Sequence, residues 1–257
     1  MARTGLAVGG VALILVGAGI AFGWVWPSSA EATETVTERV TRIELATDSG
    51  DVRIRVDPDA RATTVGQSLT YRWGRHDNAY VVLGSTLRLH GCGDWCSVDY
   101  DVVVPPGTAV SGAGDSGDLT LEGVASVDVL TGSGDVTVHD VAGPVAVGAD
   151  SGNVELHRLS GTVRVEGDSG NIQGEELAAP VEATMSSGDV TLALTAPRSV
   201  TASVESGNID LSVPEGAYRV EGDTESGERN IDVVVDGSSP NTLDLNASSG
   251  DITVRGK

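Results

Sequence analysis

Aromatic residues are scarce in this 257-residue chain: one Phe, four Tyr and four Trp, and beyond residue 110 only Tyr218. A core of large rings is thereby excluded for the C-terminal part, which must be filled by small β-branched side chains. Basic residues are also few, 16 against 37 acidic ones, for a formal net charge of -21. The imbalance is local, since 9 basic and 12 acidic residues precede residue 110 while 7 basic and 25 acidic residues follow it. A part this acidic repels nucleic acid and anionic lipid, so no nucleic-acid partner is expected; it attracts cations or basic partners, or simply keeps the chain soluble in salt. Two cysteines permit one disulfide at most. What is plentiful, 34 Gly and 40% hydrophobic residues, describes a chain that folds.

From Gly5 to Trp26 the sequence GLAVGGVALILVGAGIAFGWVW carries no charge. At about 1.5 Å per helical residue it covers the roughly 30 Å of a bilayer core, so it reads as a transmembrane helix. Arg3 and the amino terminus precede it and Trp24 and Trp26 close it, which places the tail in the cytoplasm and everything after Pro27 outside. A cleaved signal peptide is the competing reading, because Ser28 to Ala30 offers small residues at a cleavage spacing, but its apolar region is normally only about 7–15 residues. The chain then divides into a cytoplasmic tail at 1–4, a single-pass helix in the cell membrane at 5–26, a linker at 27–37, a strand-rich region at 38–110 and a repeat region at 111–257.

Cys92 and Cys96 lie in LRLHGCGDWCSVDYDV, where Gly93-Asp94 is a turn signal between two alternating stretches. Outside the cytoplasm the pair oxidises, and a disulfide stapling a hairpin is expected. The alternative, a metal site from His90, Cys92 and Cys96, lacks a fourth ligand nearby. In the same region YRWGRHDNAY holds Arg72, Trp73, Arg75 and His76 between strands. A loop with Trp and Arg is a candidate contact patch; the alternative is a hairpin whose aromatics cap the open end of the repeats.

The dominant feature is self-similarity. SGDLTL at Ser116, SGDVTV at Ser133, SGNVEL at Ser151, SGNIQG at Ser169, SGDVTL at Ser187, SGNIDL at Ser206 and SGDITV at Ser249 recur with a degenerate SGERNIDV at Ser226 and an isolated SGDVRI at Ser49. The spacing is about 18 residues, and each unit divides into two halves of one short strand each. The alternation sends Val136 and Val138, or Val154 and Leu156, to one face, and Thr137 and Glu155 to the other. Antiparallel hairpins in a sandwich and a single-coil β-solenoid both satisfy the alternation. Only the solenoid requires a near-constant period with identical corners, so an all-β solenoid of about seven to eight coils is expected.

G-D-S-G at Gly114 has the letters that surround a protease nucleophile. It recurs at Gly167, and A-D-S-G, S-S-G and E-S-G stand at the same corner elsewhere, so Ser116 belongs to the architecture. His139 and His157 occupy equivalent outward strand ends. No catalytic residue and no bound cofactor is expected. With the V-P-P-G strand end at Val104 to Gly107 leading into the S-G-[DN] ladder, the chain resembles, from about Glu38 to Lys257, a bacterial family of surface β-repeat proteins called putative adhesin or toastrack domains. That resemblance implies stacked coils on the cell surface, often linked with envelope-stress sensing, and brings no catalytic residues with it.

Three functions compete. The first is a non-enzymatic, membrane-anchored surface module that binds an envelope protein or a polysaccharide. The second is calcium binding in the manner of a β-roll, with Asp115, Asp118, Asp135, Asp150, Asp168 and Asp189 as ligands; Asn153, Asn171 and Asn208 at equivalent corners weaken that ligand field. The third is a polysaccharide-active enzyme using outward acids such as Glu155, Glu166 and Glu182, which needs an enclosure that short regular turns do not make.

Overall fold

The structure, a computed structural model, describes residues 28–72 and 78–257. The tail and the stretch expected to span a membrane lie outside the described residues. Among the described residues no helix is long and apolar enough to cross a membrane.

The first strands are β1 (Ser28–Val36), β2 (Arg42–Thr47), β3 (Val52–Val56), β4 (Thr63–Tyr71), β5 (Tyr80–Leu83), β6 (Thr86–His90) and β7 (Cys96–Val104). The repeats follow as strand pairs: β8 (Ala109–Ser116) and β9 (Leu119–Glu122), β10 (Val127–Ser133) and β11 (Val136–His139), β12 (Val145–Ser151) and β13 (Val154–His157). Next come β14 (Val163–Ser169) and β15 (Ile172–Leu177), β16 (Val181–Ser187) and β17 (Val190–Leu194), β18 (Val200–Ser206) and β19 (Ile209–Val213). The chain closes with β20 (Ala217–Glu221), β21 (Thr224–Ser226), β22 (Arg229–Asp232), β23 (Val234–Val235), β24 (Thr242–Ser249) and β25 (Ile252–Gly256).

Each coil gives one strand to each of two sheets. The first sheet has 12 strands in the order β1-β4-β7-β3-β9-β11-β13-β15-β17-β19-β25-β22. The second has 13, in the order β23-β20-β24-β18-β16-β14-β12-β10-β8-β2-β6-β5, with β21 beside β24. From β7 to β22 every neighbouring pair in the first sheet is parallel. Ten coils are stacked, more than the repeats alone announce, because β6 with β7, and β2 with β3, complete coils at the N-terminal end.

Register puts like on like. Leu119, Val136, Val154, Ile172, Val190, Ile209 and Ile252 form one column, and all are buried. In the second sheet Val127, Val145, Val163, Val181, Val200 and Leu243 do the same. Alternation with period two forces this, since each strand offers one apolar face and only the facing sheet can cover it. Where a column lacks a side chain, a neighbour fills it: Met185 packs where Gly167 has no Cβ, its Cε 2.7 Å from the position one would take.

Stacking order departs from chain order at both ends. Coil β2/β3 lies between the later coils β6/β7 and β8/β9, and β24/β25 slots between β18/β19 and the earlier β20–β22. The isolated copy at Ser49 is therefore a neighbour of the Ser116 repeat, with Val52 opposite Leu119.

Two expectations are corrected. Residues 28–36, expected within a linker, form β1, antiparallel to β4. Its Glu34 is tied down by the Tyr80 hydroxyl at 2.5 Å and the Asn78 amide at 3.0 Å. The Cys92–Cys96 disulfide is present, but it does not staple a hairpin. β6 belongs to the second sheet and β7 to the first, so the bond spans a corner between sheets. Gly93-Asp94 signals a reversal, and a corner satisfies that signal as well as a hairpin does.

Candidate functional site

The S-G-[DN] letters build one edge of the solenoid. Ser116, Ser133, Ser151, Ser169, Ser187, Ser206 and Ser249 stand in register. The glycine beside each lets backbones meet: Gly152 has φ +128°, and a Cβ there would lie 2.1 Å from the Gly134 carbonyl oxygen. One residue further on, each Asp or Asn side chain accepts the next coil's backbone N–H. Asp51 takes that of Asp118 at 2.9 Å, Asp118 that of Asp135 at 2.9 Å, and Asp135 that of Asn153 at 2.8 Å. The series runs on through Asn171, Asp189, Asn208, Asp251 and Glu228. The corner is thus a continuous ladder of side-chain caps on backbone donors that face solvent at the turns.

Outer faces carry columns too. On the second sheet Leu130, 62% exposed, reaches over Gly148. Beside it an open groove of about 470 Å³ is lined by Gly114, Gly132, Asp115, Asp150, Glu166 and Asp168. Arg164 clamps Glu166 at 2.6 Å and Glu182 at 2.7 Å on the same face. On the first sheet Glu122, His139, His157 and Glu175 form a column. The two imidazoles stack with centroids 4.9 Å apart, and His157 Nδ1 lies 3.6 Å from Glu175. Burial, then the neighbouring His157 and Arg158, hold His139 below the usual histidine pKa. Beside them Arg158 grips Asp140 with two bonds of 2.7 and 2.8 Å, which keeps that carboxyl below its ordinary pKa.

At the N-terminal end the corner is different. Trp95, in the turn closed by the disulfide, is 75% exposed, with φ 64°. Its carbonyl accepts the Arg72 N–H at 3.3 Å. Cys96 pairs with Tyr71, and Tyr71 with Ser28.

Parallel coils with this ladder belong to a known architecture: residues 100–255 match the Toastrack DUF4097 family. The chain belongs to that family. The crystal structure of a putative adhesin from Bacteroides fragilis is similar to this toastrack chain at 17% identity and TM-score 0.53, with 90% of this chain and 99% of that one covered. A putative adhesin from Parabacteroides merdae gives 11% identity and TM-score 0.43, covering 90% and 96%. Among curated proteins no sequence matches.

Against this toastrack frame the sequence-derived candidates separate. Ser116 is one exposed rung of the serine column, whereas His139 and His157 sit at the far ends of their strands in the other sheet. The six aspartates fall into two sets. Asp118, Asp135 and Asp189 hold up the corner ladder, while Asp115, Asp150 and Asp168 face outward from β8, β12 and β14, with Gly132 standing between the rungs of Asp115 and Asp150. Among the described residues no three His, Cys, Asp or Glu groups gather to hold a metal ion. The set His90, Cys92 and Cys96 is dissolved by the disulfide. Glu155 lies on the first sheet, while Glu166 and Glu182 lie on the second and share Arg164, so they do not face each other as an acid and base pair. Arg72 is exposed beside Trp95; Trp73, Arg75 and His76 lie outside the described residues. Trp95 is the residue sequence reasoning missed, and its signal was a tryptophan inside a turn between bonded cysteines, where no strand face exists to bury it.

Proposed function

We propose that this toastrack protein is a non-enzymatic surface module, anchored through residues 5–26, whose coil stack displays a binding face to an envelope protein or polysaccharide. One observation carries the reading. Aliphatic columns fill the interior, so what the described residues leave outside is a set of open faces with repeated polar columns, of which the groove beside Leu130 is open rather than enclosed. The most distinctive outer face is the acidic groove beside Leu130, which suits a basic or hydroxyl-rich partner. Anchoring is supported by the uncharged stretch, which ends two residues before β1 begins.

Capture from the native envelope tests the reading. The full chain is expected to retain a partner that the triple variant Leu130→Ser, Asp150→Asn, Asp168→Asn loses, with no turnover of wall polysaccharide by either. Equal capture by both would remove the groove as the binding face. Polysaccharide cleavage would overturn the non-enzymatic assignment.

A further inference from the structure

We propose that the Trp95 corner is the part of the folded domain that lies in the lipid headgroup layer, beside the point where the chain leaves the bilayer. The inference rests on the anchored reading above and adds to it which surface faces the membrane. Six large apolar side chains are exposed among the described residues, and Trp95 is the most exposed of them. Its position is fixed on three sides: the disulfide closes the turn, the Arg72 N–H bonds its carbonyl, and the following residue begins β7.

Two strand steps connect this turn to the start of the domain, Cys96 to Tyr71 and Tyr71 to Ser28. At about 4.8 Å per step, Ser28 lies roughly 10 Å from Cys96. Ser28 follows Trp26 by two residues, a span of at most about 7 Å. An anchor at 5–26, as proposed above, would therefore release the chain within about 17 Å of the Cys96 backbone. Tryptophan is the side chain that the interface favours most clearly, with its ring among headgroup carbons and its N–H toward water. Exposed Arg72 beside it suits lipid phosphate; Asp94, also in the turn, is the opposing charge. The charge balance of the whole chain agrees, because the strongly acidic part after residue 110 stacks away from this end.

The test uses the full chain reconstituted in phosphatidylcholine–phosphatidylglycerol vesicles. Benzoylphenylalanine replaces Trp95, or Leu130 on the second sheet, or Val234 at the opposite end, and an intact Cys92–Cys96 bond confirms each fold. Irradiation is expected to give roughly tenfold more lipid adduct at position 95 than at 130 or 234, which stand clear of a headgroup layer about 5–8 Å thick. Quenching of tryptophan fluorescence by brominated lipid should also fall in Trp95→Phe. Alkaline carbonate extraction of the same vesicles reads the anchor separately. A chain that resists extraction but gives equal, low adduct at all three positions overturns this inference and leaves the anchor standing. A chain that is extracted and gives no adduct defeats both. Adducts from position 95 to a second copy of the chain, in place of lipid, assign the corner to protein contact and overturn the proposal.

Discussion

At the corner, one atom more on a glycine is one too many. Each glycine of the column combines a positive φ with a carbonyl of the adjacent coil where a Cβ would sit. Gly152→Ala is expected to cost about 1–3 kcal/mol from the backbone conformation alone and more from the contact, read as a lowered midpoint in urea unfolding. Gly132→Ala, where φ is ordinary but a Cβ would lie 2.7 Å from the Asp115 carbonyl oxygen, should cost less than Gly152→Ala because only the contact and not the conformation opposes it. His139 gives a pH signature. His139 is held below its ordinary pKa in the folded state, so the unfolded chain binds more protons as the pH falls through about 6.5. Stability should decline there on acidification and level off below the folded-state pKa. Melting curves between about pH 7.5 and pH 5 should show this decline in the native chain and less of it in His139→Gln. Identical profiles would mean that burial and the neighbouring charges do not lower the His139 pKa.

Among the elements, strand alternation was the legible part. Val136, Val138, Val154 and Leu156 were assigned inward from period two alone, and all four are buried, because a strand in a two-layer stack has one covered face. Corner chemistry was legible for the same reason, since repeated letters occupy repeated backbone positions. Strand partnership was not legible at the ends. Nothing local in RIELATDSG or TLDLNASSG states that another coil will insert beside it, and the 20- and 23-residue spacings around Gly227 conceal that Gly250, not Gly227, stacks on Gly207. The antiparallel β1 is hard to read because its alternating face in SSAEATETV offers only two alanines and Val36 and is broken by Glu34, its pairing being supplied by β4 and the Glu34 contacts. Packing within a column permits a sharper test. Met185→Ala should lose about 2–5 kcal/mol, and Gly167→Ala alone should crowd the Met185 thioether. Combined, the two changes should be less destabilising than their sum, because the new methyl occupies part of the space released. Strict additivity in unfolding free energies would reject this account.

Taken as a whole, the described part of the molecule is a stack of ten coils at about 4.8 Å each, roughly 45–50 Å long, extended by about 10 Å in the first sheet by β4 and β1. Its cohesion is distributed along the stack, with each coil bonded to its neighbours. Three of the candidate calcium ligands, Asp118, Asp135 and Asp189, already give a carboxylate oxygen to a backbone donor of the next coil. Thermal midpoints of the chain should accordingly be the same in calcium and in chelator, whereas a rise with calcium would revive a β-roll-like role for Asp150 and Asp168. Removing residues 252–257 should do more than shorten the stack. β25 separates β19 from β22, so the truncated chain leaves the β20–β22 coil without its neighbour in the first sheet. Proteolysis should then release fragments from the region after Val213 before the body is cut.

That insertion also constrains how such a protein changes in length over evolutionary time. β25 is paired on both sides, by β19 and β22, and β2 likewise, by β6 and β8, so a copy duplicated next to either would have to displace a strand already in place. Gene duplications are absorbed with least rearrangement in the interior, between β10 and β17, where successive coils follow one another in chain order. Longer and shorter cousins should differ there first, while the interleaved coils β2/β3 and β24/β25 keep their places.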